Sequence, residues 1–192
     1  QEAVDAGCAE GENVRSTMLV MATGVGKTVC FGEVLKRRRT TGRALVLAHR
    51  LELIDQAVRH VEAAGLSAQV ESGEHMASLY TLYERIDVVV ATVQTMRGHR
   101  LARWPRDAFG TIVIDEAHHA TAAGYRAIID HFTGSKILGV TATADRGDNV
   151  ALGHVFDHLF LVHLYAVVVL IVPGADGAIE SERPAQGQLV KN

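Results

Sequence analysis

An apolar stretch over 16–22 runs into Met21-Ala22-Thr23-Gly24-Val25-Gly26-Lys27-Thr28, and a helix-like stretch follows over 27–39. Small residues, a lysine and a hydroxyl at such a junction can wrap an anion. Gly24 and Gly26 let the backbone curl tightly and approach a ligand with no Cβ in the way. With Thr23 and Val25 they form a loop whose N–H groups aim at the anion, and the helix N-terminus adds its positive dipole end. Lys27 would bring a mobile charge to the β- and γ-phosphates of a nucleotide, and Thr28 Oγ would ligate magnesium. The full G-x-x-x-x-G-K-[ST] pattern has glycine where this chain has Met21. An ordinary strand–turn–helix connection is therefore the competing interpretation of the loop.

A second run, Ile112-Val113-Ile114-Asp115-Glu116-Ala117-His118-His119, ends an apolar, β-branched stretch with adjacent carboxylates. The stretch has the composition of a parallel strand buried on both faces. Ligands of open α/β sheets sit beyond the carboxyl ends of such strands. Neighbouring acids point different ways and can divide the work. Asp115 would hold magnesium through its water shell, and Glu116 would orient and deprotonate an attacking water. Two solvated acids opening a helix are the bland alternative. Lysine, hydroxyl and twin acids together suit a magnesium-bound nucleoside triphosphate such as ATP.

These groups need a scaffold. Strand-like stretches fall near 16–22, 43–48, 67–71, 86–91, 110–115 and 136–142, with helix-like stretches near 2–9, 27–39, 50–64, 93–101, 119–132 and 148–158. Such alternation predicts an α/β fold, a mainly parallel sheet with helices on both faces. Residues 159–172 are apolar but too few for a membrane helix, and 167–172 suit a last core strand before a loose tail. His154 and His158 stand four apart on the expected last helix, yet Val155 occupies the place where an H-E-x-x-H zinc motif has glutamate. Partly exposed histidines are the expectation.

At 192 residues and 48% apolar content the chain has the size and composition of one globular domain. A net charge of −3 argues against tight, independent binding of nucleic acid, without excluding a local groove. Lys36-Arg37-Arg38-Arg39 with Arg43 is a dense basic cluster, expected to be a solvated helix end that suits the dipole. Cys8 and Cys30 are unpatterned and no signal peptide is visible, which suggests reduced thiols in a cytoplasmic protein.

At these residues the chain resembles the DEAD/DEAH-box helicases of superfamily two. Asp115-Glu116-Ala117-His118 stands as the DEAH box, and His119 after it is similar to the restriction-enzyme and excision-repair branch. Further blocks follow in order: 47–57 resembles motif Ia, 91–96 motif Ib, and 139–143 motif III. The resemblance implies a RecA-like P-loop domain over 1–158, the first of two motor domains, with 159–192 as last strand and tail. It also implies ATP and magnesium, nucleic acid (DNA ahead of RNA), and a second motor domain elsewhere in a longer protein or on a partner chain. Motif III here has Ala144 where the family has proline, and the adenine-reading glutamine is expected upstream of Gln1. Motifs IV to VI, with their arginine finger, have no counterpart in these residues.

By the same resemblance, His49, Arg50, Thr92, Gln94 and Thr95 would grip a single strand, as sequence-tolerant donors to phosphate. Thr141 and Thr143 would couple nucleotide state to that grip, and His118 would bridge to the second domain. Locally, Thr92 can instead cap a short helix, and the threonines of 136–143 can serve β-propensity alone. The expected activity is that of an ATP-binding and ATP-hydrolysing motor domain of a DEAH-box DNA helicase or translocase, weak or inactive by itself. A nucleotide-binding half-motor that hydrolyses only with a partner is the alternative, and a kinase-like transferase a more distant one.

Overall fold

The computed structural model describes residues 14–22, 26–79, 86–142, 155–163 and 166–171. The expected helices over 2–9 and most of 148–158, Cys8 and His154 lie outside these residues. Eight strands form one sheet: β1 (Ser16–Met21), β2 (Ala44–Ala48), β3 (Ala68–Glu71), β4 (Val88–Thr92), β5 (Thr111–Asp115), β6 (Lys136–Thr141), β7 (His158–His163) and β8 (Ala166–Ile171). Their order is β3-β4-β2-β5-β6-β1-β7-β8. All pairs are parallel except the last, where β8 returns antiparallel on β7.

Side-chain alternation sorts the sheet into two faces. Met18, Val20, Leu45, Leu47, Val89, Ala91, Ile112, Ile114 and Ile137 join one core. It is covered by Leu101 of helix α3 (Gly98–Ala102) and by Tyr125, Ile128 and Ile129 of α4 (Ala123–His131). Leu19, Met21, Val46, Val88, Val90, Val113, Leu138 and Val140 join the other. Phe31, Val34 and Leu35 of α1 (Lys27–Arg37) cover it, with Ile54, Ala57 and Val61 of α2 (Ile54–Ala63). This is the doubly covered parallel sheet that the β-branched runs required. Gly139 is the exception in β6. A Cβ there would lie 2.6 Å from the Phe156 ring and 2.8 Å from Ala117 Cβ, so its bare backbone seats both.

Three expectations need correction. The helix foreseen over 93–101 is a turn followed by the short α3. Thr92 Oγ1 accepts from the Thr95 N–H at 3.2 Å, and Gly98 takes a left-handed φ of 51°, so the turn runs up to that point and the helix begins only there. The helix expected over 148–158 does not extend to 158, because His158 pairs in parallel with Thr17 as the start of β7. His158 is therefore not on a helix that could share a metal with His154. The basic cluster, finally, is more than a solvated helix end. Arg38 Nε donates to Thr111 Oγ1 (2.8 Å), Arg39 Nε to Asp87 Oδ1 (2.7 Å), and Arg43 Nη1 to the carbonyls of Ser78 and Leu79 (2.9 and 3.2 Å). These arginines brace strand entrances. At Asp87, burial pushes the carboxyl up, but hydrogen bonds from Ser67 and Arg39 outweigh it and hold the group below its ordinary range.

The segment after β3 is pinned by a buried acid. Glu71 pairs with Arg100 (Nε to Oε1, 2.7 Å) and Arg103, and accepts the Ala77 N–H at 2.9 Å. Arg100 also donates to the carbonyls of Gly73 and His75 (2.8 and 2.6 Å). Removing the acid would leave two guanidinium groups facing each other with little water. Glu71→Ala is expected to cost about 3–5 kcal/mol of stability, measured as a fall in the urea midpoint with the slope unchanged.

Candidate functional site

The carboxyl ends of the parallel strands form one edge, and register aligns it. Ala48 pairs with Thr92, Leu47 with Ile114, Asp115 with Val140, and Val20 with Thr141. The candidate residues contributed by β4, β5 and β6 thus emerge together.

On the nucleotide side, Gly26 is the N-cap of α1 with φ 92° and ψ 28°, and its carbonyl accepts the Cys30 N–H at 2.9 Å. A Cβ at Gly26 would meet nothing within 4 Å, so it is the left-handed backbone and not crowding that asks for glycine. Among the described residues no side chain caps the helix, and no acid stands in its first turn, which leaves N–H donors and the positive dipole end for an anion. Lys27 begins the helix. Thr23, Gly24 and Val25 lie outside the described residues. Thr28 is placed in α1, but its side chain is likewise outside.

Asp115 ends β5 and is partly buried. Burial, then the neighbouring Glu116 charge, pushes its carboxyl above the ordinary aspartate range. The Glu116 N–H, 3.0 Å from Asp115 Oδ1, and the charge of Lys27 pull the other way. A cation here would relieve two crowded negative charges, so the donor set fits a divalent ion bound with polyphosphate. Glu116 follows with φ 54° and ψ 52°, the only non-glycine residue with positive φ among the described residues. Holding a glutamate there costs roughly 1–3 kcal/mol, so its surroundings must impose it. Ala117–His119 then form a single 3-10 turn. His118 Nδ1 sits 3.3 Å from Glu116 Oε2 and 3.1 Å from Thr141 Oγ1, tying the acid to the end of β6. Thr143 lies outside the described residues.

On the other side of β5, His49, Arg50, Thr92, Gln94 and Thr95 line one open cleft of about 460 Å³. All five strand-contact candidates meet there. They differ in availability. Thr92 Oγ1 is engaged locally, 2.9 Å from Thr95 Oγ1, so it shapes the loop. Gln94 is exposed, and its Nε2 donates to the His49 carbonyl at 3.1 Å. Arg50 is exposed at the mouth. Leu51 and Glu52, within the 47–57 block, also line the cleft, as do Ser72 and Gly73, which no motif marked. Ser72 Oγ is buried with no hydrogen-bond partner among the described residues, a donor without an acceptor on the cleft wall. An isolated serine has no periodic or motif signal that could have revealed it.

Two further groups were missed. The His119 ring stacks on His49, centroids 4.0 Å apart and planes 19° from parallel. Burial, then the His118 and His49 rings, hold His119 below the ordinary histidine value. Tyr125 Oη stands 3.5 Å from His49 Nδ1; burial, then the charges of Asp115 and Glu116, push its hydroxyl up to about 12. The second histidine after the paired acids was the available clue to the first.

The family described as "Type III restriction enzyme, res subunit" matches residues 1–146. "Putative ATP-dependent helicase IRC3" of Saccharomyces cerevisiae is 34% identical over 177 residues, covering 83% of this chain. The chain spans about a quarter of that protein's length (25%). Among solved structures, the Hef helicase domain of Pyrococcus furiosus superposes with a TM-score of 0.67 at 23% identity, over 86% of this chain and 38% of its own. The UvsW helicase of bacteriophage T4 superposes with a TM-score of 0.63 at 20% identity, over 84% and 60%. Both likenesses establish the fold.

The pH dependence follows from Asp115. A carboxyl raised in the folded state contributes favourably only while protonated, below its unfolded value near 4, and that contribution is lost as pH rises through the folded value. Asp115→Asn should therefore stabilise the nucleotide-free protein at pH 7. The gain should vanish as pH falls below about 4, checked by urea midpoints at the two pH values.

Proposed function

Because this chain belongs to the type III restriction enzyme res-subunit family, as the first RecA-like domain of a superfamily two helicase, we propose that it binds and hydrolyses ATP as half of a DNA motor. The observation that carries the reading is Asp115, crowded by Glu116 and acted on by Lys27, beside a helix N-terminus that no described side chain caps. Helicases of this family generally use ATP with magnesium.

In this reading the N–H groups from Gly26 into α1, with Thr23, Gly24 and Val25, wrap the phosphates. Lys27 Nζ meets the β- and γ-oxygens. Thr28 Oγ1 and Asp115 would hold magnesium, which supplies charge neutralisation across the two phosphates. Glu116 accepts a proton from the water whose oxygen bonds to the γ-phosphorus as the bond to the β–γ bridging oxygen breaks, so that phosphate and ADP leave. The left-handed backbone of Glu116 aims the carboxylate, and His118, within reach of Oε2, keeps it aimed. His118, Thr141 and Thr143 couple this centre to the strand.

DNA runs through the cleft, held by Arg50, Gln94 and Thr95 with His49 alongside, while Thr92 shapes the turn. The chain's net charge of −3 suits a transient grip better than a tight one. The second motor domain, in the longer protein or on a partner, brings the arginine that completes the transition state, so turnover by this chain alone is slow. No helix among the described residues is long and apolar enough to cross a membrane.

Glu116→Gln is expected to lower phosphate release at least about 100-fold, with and without single-stranded DNA, while thermal stabilisation by Mg-ATP persists. Lys27→Ala should lose that stabilisation. Equal hydrolysis by Glu116→Gln and the native chain would overturn the assignment of the base. Stabilisation of the native chain without phosphate release would favour a half-motor that needs its partner, and no thermal shift with millimolar Mg-ATP would overturn the nucleotide site.

A further inference from the structure

The strand cleft and the paired carboxylates are joined by side chains in unbroken contact. Gln94, exposed in the cleft, donates to the carbonyl of His49. The His49 ring, itself part of the cleft, lies flat on His119 with centroids 4.0 Å apart. His119 meets His118 at 4.0 Å, tilted by 47°. His118 Nδ1 in turn reaches Glu116 Oε2 and Thr141 Oγ1. The turn carrying these histidines is short, runs from Ala117 to His119, and springs from a glutamate in left-handed conformation. One end is therefore held by a backbone shape that few residues accept, and the other by a ring stack.

We propose that His119 is a positioning residue whose stack on His49 transmits occupancy of the strand cleft to the Asp115–Glu116 turn. The inference rests on the ATP and strand sites proposed above and names a route between them. A strand that shifts the His49 ring must drag or release His119, which sits in the short turn that follows the acids. The Ala120 N–H bonds to the Ala117 carbonyl at 2.9 Å and the His119 N–H to the Glu116 carbonyl at 3.1 Å, so the turn moves as a unit. Coupling of this kind is a difference in affinity and acts equally in both directions. His119 touches neither ligand site directly, whereas His49 does, which makes His119 the informative position to change.

The test is the affinity of the intact chain for a fluorescent oligo-dT, by anisotropy, with and without a non-hydrolysable ATP analogue and magnesium. The native chain should show a ratio of at least about fivefold between the two affinities. His119→Ala should bring the ratio below about twofold while oligo-dT alone and the analogue alone bind within about twofold of native. His119→Phe, which keeps a flat ring for His49, should restore the native ratio, and matching thermal melts show that both variants are folded. A native ratio in His119→Ala overturns the proposal, as does loss of oligo-dT binding itself, or a His119→Phe ratio no better than alanine's. A native chain that binds both ligands with a ratio of one also overturns it and leaves the nucleotide reading standing. A native chain that binds no analogue removes the nucleotide reading, and this inference with it.

Discussion

In-register parallel pairing across the middle of the sheet is the constraint on which everything else depends. β5 lies between β2 and β6, and β1 lies beyond β6. Parallel strands send their carboxyl ends to the same edge, so residues distant in sequence arrive side by side with no need of a binding loop to gather them. The pairing is secured by side chains buried on both faces, among them Leu45, Leu47, Ile112, Val113, Ile114 and Leu138. A shift of one residue would turn each apolar row to the opposite face and move Asp115 out of line with Val140. Thr92, Asp115 and Thr141 are accordingly placed by the same pairing that builds the core beneath them.

The edge is also where the fold gives up stability. Asp115 is crowded by its neighbour, Glu116 occupies a backbone region that disfavours it, and Ser72 Oγ is buried with no partner among the described residues. Costs of this sort persist where surrounding structure enforces them, and here the enforcing elements are identifiable. His118 ties Glu116 to Thr141, and Arg100 and Arg103 pin the segment that carries Ser72. Glu116 and Ser72 thus each stand beside a hydrogen-bonded brace rooted in the sheet or at α3.

Much of this was legible from the residues. All six foreseen strands are present, because β-branched runs such as 111–114 and 88–90 have few other uses in a buried core. The two apolar faces follow from period-two alternation. Asp115 emerged at a strand end and the cleft residues in one place, because motif residues and strand ends coincide. Less legible was whatever depends on tertiary partners. Helical periodicity over 93–101 did not show that the structure would be a turn here, although the local use of the Thr92 hydroxyl as a cap was open from the sequence and is what the Thr95 N–H meets. The arginines after α1 looked like a solvated run until Asp87 and Thr111 were seen opposite them. His158 falls within an apolar stretch whose strand character depends on β1 being there to pair with it. The His49–His119 stack joins two blocks that are separate in sequence, and only the fold brings their rings together.

Gly139 shows how far such dependence can reach. In a strand of apolar residues a glycine reads as a weak point, with less propensity than its neighbours and nothing to bury. Yet the space it leaves is filled from two directions, by Ala117 out of the turn that carries the acids and by Phe156 just ahead of β7. The smallest side chain in the sheet therefore sets how closely the reactive turn can settle and where the chain re-enters to add its last strands. Positions of this kind tolerate no drift even though they carry no functional group, so immutability at 139 would reflect shape alone.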